Sequence, residues 1–116
     1  MKFVLYLLTT IVVTFANSQN LKIQWQDESG RAFNIIAPTG ELGYTLLPGD
    51  RIQYNMNGNP NKVGDVYISY NLNGQVSRVG NVYVTYGLTG RLMRVGNLSI
   101  SYNFNGQIMG TTGSVN

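Results

Sequence analysis

The residues able to do chemistry are few and scattered. The chain has 116 residues with eight Lys or Arg, five Asp or Glu, and neither His nor Cys. Without His it lacks the commonest general base and metal ligand. Without Cys it has no disulfide and no thiol nucleophile. Asp27 and Glu28 are neighbours in a turn-rich cluster, Asp27-Glu28-Ser29-Gly30, and read as turn solvation. Asp50 and Asp65 sit beside Gly49 and Gly64, where Asp suits the local turn geometry. A glycosidase-like pair needs two carboxyls facing across a cleft, and calcium needs several clustered oxygens. Neither pattern is present. Asn73, Asn81, Asn97 and Asn105 are accounted for as turn formers. The sequence therefore argues for a non-enzymatic protein with no catalytic residues, no cofactor and no metal.

What recurs instead is a cation five residues ahead of an aromatic. Lys62 precedes Tyr67, Arg78 precedes Tyr83, and Arg94 precedes Ser99, where the pattern fades. Two readings follow. One is cross-strand pairing that keeps a sheet face soluble. The other is a periodic Tyr/Arg surface, Lys62, Tyr67, Arg78, Tyr83 and Arg94, that binds an extended glycan or acidic polymer. A cation over a tyrosine contributes about 0.5–1 kcal/mol when exposed.

The element that must position these residues is a 16-residue unit. Val63–Arg78 reads VGDVYISYNLNGQVSR, Val79–Arg94 VGNVYVTYGLTGRLMR, and Val95–Gly110 VGNLSISYNFNGQIMG. A fainter copy, LPGDRIQYNMNGNPNK, fills Leu47–Lys62. Self-similarity at a fixed period marks a repeat architecture. Each copy holds a β-branched and aromatic run such as Val66–Asn71, then Asn73-Gly74, then a return run Gln75–Val79. Asn-Gly is the signal for a type I′ hairpin turn, and Gly80-Asn81 supplies the next turn. Two short turns per unit predict an antiparallel β-meander. The alternative is a parallel β-solenoid with Tyr70, Tyr86 and Tyr102 stacked coil on coil.

The turns set a register: Leu72 opposite Gln75, Tyr70 opposite Ser77, Ile68 opposite Val79, Val79 opposite Val82, and Arg78 opposite Tyr83. Val66, Ile68, Tyr70, Leu72, Val79, Val82, Val84, Tyr86, Leu88, Val95, Leu98, Ile100, Tyr102 and Phe104 then share one face. Tyr54 joins them as core. Tyr67, Ser69, Asn71, Arg78, Tyr83, Thr85, Arg94, Ser99 and Ser101 share the other. So large an apolar face must be covered. The candidates are curling of the sheet, the N-terminal strands with Trp25, Phe33 and Ile35, or a second chain. Pro60 stands where later copies have Val76, Leu92 and Ile108. It has no N–H to donate, so that strand is expected to be irregular, bulged or at an edge.

The run Tyr70-Asn-Leu-Asn-Gly-Gln-Val, with Tyr86-Gly-Leu-Thr-Gly-Arg-Leu and Tyr102-Asn-Phe-Asn-Gly-Gln-Ile, resembles the YD repeats of Rhs-type secreted bacterial shells. It is similar, more loosely, to the hairpin repeats of choline-binding and clostridial-toxin receptor-binding domains. The likeness covers about half the chain. Asn stands where YD repeats have Asp, the period is shorter, and the tryptophans of choline-binding units are missing. The resemblance implies hairpin repeats and secretion. It implies no activity or ligand.

Met1–Ser18 has the form of a secretory signal peptide. Lys2 precedes the apolar run Phe3–Phe15, and small residues permit cleavage after Ala16 or Ser18. That run is too short to span a bilayer as a helix, and strands of five to seven residues are too short for a membrane barrel. Residues 19–46 read as a three-strand cap: Leu21–Asp27, Arg31–Ala37 and Leu42–Leu47. Residues 111–116 read as a flexible tail. The formal charge of +3 is too weak a bias for nucleic acid. The expected setting is secreted or periplasmic, and the expected partner is an extracellular polysaccharide. The alternative is a structural protein that associates with itself through its apolar face or sheet edges.

Overall fold

The structure, a computed structural model, describes Val12–Asn17 and residues 20–116. Among the described residues every regular element is a β-strand, and no helix is long and apolar enough to cross a membrane. An N-terminal sheet contains β1 (Val12–Asn17), β2 (Asn20–Gln26), β3 (Ala32–Ala37) and β4 (Glu41–Tyr44) in sequence order. The repeats form a second sheet of eight strands, also in sequence order. Its strands are β5 (Ile52–Tyr54), β6 (Pro60–Val63), β7 (Val66–Tyr70), β8 (Val76–Val79), β9 (Val82–Tyr86), β10 (Leu92–Val95), β11 (Leu98–Tyr102) and β12 (Ile108–Thr112). Neighbouring strands are antiparallel wherever they pair. The repeat is thus an antiparallel meander, and the parallel solenoid is overturned.

The leader expectation falls partly outside the described residues, which omit Met1–Ile11, Ser18 and Gln19. The part described, Val12–Asn17, pairs with β2 as an edge strand, with Val13 opposite Ile23. The N-terminal sheet thus has four strands, one more than the expected cap.

The core lies between the two sheets. Period-two alternation sends Leu21, Ile23 and Trp25 of β2 and Phe33, Ile35 and Ala37 of β3 to one side, and all six are buried. They join Val63, Ile68, Val76, Val79, Val82, Val84, Leu92, Val95, Leu98, Ile100 and Val115 in one hydrophobic cluster. The N-terminal sheet therefore covers the repeats' apolar face. Trp25 and Phe33 stack within it at 6.0 Å between ring centroids.

The two turns of each unit are chemically different. Val63, Val79 and Val95 face Val66, Val82 and Leu98 across two-residue turns. Each turn begins with a glycine at positive φ: Gly64 at 58°, Gly80 at 58° and Gly96 at 60°. No other residue type has positive φ among the described residues, so these follow the Gly-first II′ pattern.

The other turn corrects the sequence reading. Asn73-Gly74 is not a type I′ turn, because Asn73 does not take positive φ. The loop has three residues, Leu72-Asn73-Gly74, closed by Asn71 N donating to Gln75 O at 2.8 Å and Gly74 N to Asn71 O at 3.0 Å. Only Gly74 is left-handed, at φ 81°. The Asn71 side chain reinforces this form, which the Gly87 hairpin adopts without one. Its Oδ1 accepts from the backbone N of Asn73 and of Gln75, both at 2.9 Å. Asn55 and Asn103 do the same in their own hairpins.

The longer loop shifts the near end of the return strand by one residue, so Tyr70 faces Val76 rather than Ser77, and a bulge beside it restores the expected pairing of Ile68 with Val79. One residue of slip exchanges the faces of a strand. Val76 and Leu92 therefore turn into the core. Leu72, Leu88 and Phe104, expected there, stand in solvent at the turn tips. Tyr54 is likewise 59% exposed rather than core.

Pro60 lies at a bulge, as expected, but the bulge is not peculiar to the first hairpin. The same bulge occurs at Tyr54 opposite Pro60, Tyr70 opposite Val76, Tyr86 opposite Leu92 and Tyr102 opposite Ile108. The N–H at this position can turn away from the hairpin ladder: that of Leu92 donates to Pro38 O at 2.8 Å in the N-terminal sheet's last turn. A proline there forfeits no hairpin bond. The C-terminal stretch expected to fray is held. Thr111 and Thr112 pair with Ile100 and Ser99, Val115 is buried, and its carbonyl accepts from Asn97 N at 3.2 Å.

Candidate functional site: the Tyr/Arg face

The two-residue turns fix the polar face, and here the expected register holds. Lys62 lies opposite Tyr67, Arg78 opposite Tyr83, and Arg94 opposite Ser99. The next rung places Ser69 opposite Arg78 and Thr85 opposite Arg94. The structure thus brings Lys62 with Tyr67 and Arg78 with Tyr83, and carries Arg94 in the same row without an aromatic partner. Lys62 Nζ sits 4.9 Å from the Tyr67 ring centroid, and the Arg78 guanidinium carbon 5.4 Å from that of Tyr83. Both rings are about 60% exposed, so each pair is a solvent-facing platform.

The arginines are anchored at one nitrogen. Arg78 Nε donates to Gly80 O at 2.8 Å, and Arg94 Nε to Gly96 O at 3.0 Å. Their terminal nitrogens make no hydrogen bond among the described residues. Each guanidinium is held over the turn that follows it, with its outer donors turned to solvent. Equivalent cations lie two strands apart, about 10 Å at ordinary strand separation. The array is a row of positive charges at regular steps across one face of the sheet.

At one end this row meets a groove of about 520 Å³ between the sheets, lined by Trp25, Glu28, Asp65, Tyr67, Arg78 and Asn81 among others. That volume lies in the range of small-molecule sites. Behind it stands a residue the sequence reading passed over. Arg31 is 4% exposed and holds two carboxylates. Its Nε and Nη2 donate to Asp50 at 2.8 and 3.0 Å, and its Nη1 to Asp27 at 2.7 Å. The signal was its parity: Arg31, Phe33, Ile35 and Ala37 alternate inward, and an inward charge requires a partner. Asp27 and Asp50 do serve their turns, accepting from Ser29 N and Leu47 N. They also clamp the N-terminal sheet to the start of the array. The bond from Arg31, and then that from Leu47 N, holds the Asp50 carboxyl below its ordinary pKa. The same clamp, led by Asp50, raises the Arg31 pKa further.

On the core side a second tyrosine series is structural. Tyr70, Tyr86 and Tyr102 donate their hydroxyls to the carbonyls of Pro60, Val76 and Leu92, at 2.5, 2.8 and 2.5 Å. Each hairpin is tied to the one before it. Burial pushes all three phenols up, Tyr86 to about 12. A third cation–ring contact, Arg91 over Tyr102 at 4.7 Å, belongs to this side and not to the candidate row. No group of three or more acids among the described residues is placed to hold a metal ion. Compared with known proteins, the chain matches no family model, no curated protein and no solved structure.

Proposed function

We propose that this is a secreted, non-enzymatic repeat protein whose Tyr/Arg face binds an extracellular polysaccharide or another extended acidic polymer. The observation that carries the reading is the register of that face. Lys62 over Tyr67 and Arg78 over Tyr83 repeat one platform, with Arg94 continuing the row of charge. A polymer with evenly spaced anions would meet one cation per unit, and its rings would rest on tyrosine faces. The groove beside Trp25 and Asn81 would receive a chain end. Secretion is supported by the form of Met1–Ser18.

The test is binding of acidic and neutral polysaccharides across a salt series. Acidic chains are expected to bind with marked salt sensitivity, because exposed charge pairs are screened. Arg78→Ala with Arg94→Ala is expected to weaken binding about tenfold or more. Salt-insensitive binding, or no loss in the double variant, would sink the reading.

The second reading is a self-assembling surface protein. One observation favours it: β5 and β12 leave the eight-stranded sheet with an edge at each end. Burial of the repeats' apolar face under the N-terminal sheet removes the other driving force for it. Light scattering across concentration tests it, and a strictly monomeric result would count against it.

A further inference from the structure

The four three-residue turns place one large apolar side chain each at the same position. Met56, Leu72, Leu88 and Phe104 are spaced 16 apart, and their relative exposures are 103, 105, 109 and 109%. Because the II′ turns lie on the opposite edge, all four tips lie along one edge of the sheet. Their separation is two strands, about 10 Å per step. Nothing in the fold needs a hydrophobe there. The turn is made by Asn71 and Gly74 and their equivalents, and any polar residue would serve at the tip.

We propose that this row of tips inserts into a bilayer surface, with Met56, Leu72, Leu88 and Phe104 reaching the boundary between headgroups and acyl chains. Three observations point to lipid rather than to a protein groove. First, the side chains stand singly at the turn tips, Met56, Leu72 and Phe104 each between two Asn and Leu88 between Gly87 and Thr89. A protein partner would need four matched sockets, whereas lipid accommodates each peg separately.

Second, most of the tips' backbone donors are already spent. In the Asn71 turn the N–H groups of Asn73, Gly74 and Gln75 all bond back to Asn71, and Gln75 Nε2 donates to Gly90 O at 2.9 Å in the next tip. A loop entering an apolar phase must satisfy its polar backbone internally.

Third, the repeats place a cation behind the tips: of the three arginines after Val66, Arg78 and Arg94 are held over the II′ turns on the opposite edge, and Arg91 lies on the tip side. Arg91 stands directly behind the last two tips, packed over Tyr102 and close to Gly106. Glu41, which lines the groove behind Gly74, belongs to the N-terminal sheet. The inference does not rest on the Tyr/Arg face, which uses the other turns and other residues.

The test is partition of the full chain onto phosphatidylcholine vesicles with and without phosphatidylglycerol, beside a Leu72→Ser, Leu88→Ser, Phe104→Ser triple variant. The apolar Phe3–Phe15 run is common to both chains, so a difference between them reads the tips. Each lost tip is expected to weaken partition about tenfold, with unchanged circular dichroism. Phe104→Trp is expected to shift its emission to the blue on vesicle addition, while buried Trp25 stays constant. Equal partition of the parent and the triple variant would overturn the proposal. So would no partition at all, or concentration-dependent self-association that the serines abolish, which would make a second copy the occupant.

Discussion

Arg31 carries more of the fold than any other charged residue described. Its guanidinium spends three nitrogens on Asp27 and Asp50, which lie on either side of the boundary between the sheets. Arg31→Ala would leave two carboxylates facing each other with no cation between them. The thermal midpoint is expected to fall by about 10 °C or more, read by circular dichroism. The clamp also sets an acid limit. Asp50 has a depressed folded pKa, so its contribution is present above its unfolded value of 3.8 and is lost as pH falls through the folded value. Urea midpoints below pH 4 are expected to fall in the parent and to lose that slope in Arg31→Met.

The alkaline limit belongs to Tyr86. Its pKa is raised from 10.0 to about 12, so its contribution is whole below pH 10 and disappears as pH rises toward 12. Tyr86→Phe is expected to cost about 1 kcal/mol at neutral pH, because the Val76 carbonyl loses its donor, and to flatten that alkaline fall. Denaturant midpoints across pH check both.

At the scale of the hairpin, one copy differs informatively. Gly87 occupies the position of Asn55, Asn71 and Asn103, and its turn keeps the backbone bonds Gly87 N to Arg91 O and Gly90 N to Gly87 O without their side-chain acceptor. Gly87→Asn would add the missing acceptor for the N–H groups of Thr89 and Arg91. A new Cβ would lie 3.1 Å from Met93 Cγ, the middle of a flexible side chain. Asn103 already coexists with Met109 at the matching place. The substitution is expected to stabilise the protein by about 1 kcal/mol, measured by chemical denaturation.

The same turn explains what could and could not be seen in the sequence. The two-residue turns were legible because Gly-Asp and Gly-Asn have no competing local partner, and Arg78 opposite Tyr83 followed directly. The Asn-Gly pair was misleading, because the loop takes in the residue before it, with Gly74 alone left-handed and closure between Asn71 and Gln75. Asn71 reinforces this loop by accepting from Asn73 and Gln75, and the Gly87 hairpin makes the same loop without an Asn. The extra loop residue decides that Val76 is core and Leu72 is not. The candidate row was legible because its rungs lie beside the turns that were read correctly. The apolar tips were not, because they lie on the ones that were misread.

At the scale of the molecule, the N-terminal sheet and the repeats are mutually dependent. Neither apolar face is covered without the other, and six buried residues of the cluster come from β2 and β3. Residues 47–116 expressed alone would expose Val63, Ile68, Val79, Val82, Leu92 and Ile100. That fragment is expected to self-associate where the full chain does not, as light scattering across concentration would show. The C-terminus contributes to the same closure. A Cβ at Gly96 would collide with the Val115 carbonyl, so Gly96→Ala is expected to release the terminal segment as well as strain a φ of 60°. Faster hydrogen exchange at Asn97, whose N–H is held by Val115, would report that release.

The tyrosine links between hairpins all point the same way. Every hydroxyl reaches back ten residues to the preceding unit, from Tyr70 to Pro60, Tyr86 to Val76 and Tyr102 to Leu92. Tyr54, with no repeat hairpin before it, lies 59% exposed. The array therefore has polarity, each tyrosine donating toward the N-terminal side, and the Ile108 carbonyl stands at the position of the accepting Pro60, Val76 and Leu92 carbonyls. A new unit duplicated after the last hairpin would bring a tyrosine to that acceptor. One duplicated before the first would have to offer a carbonyl to Tyr54.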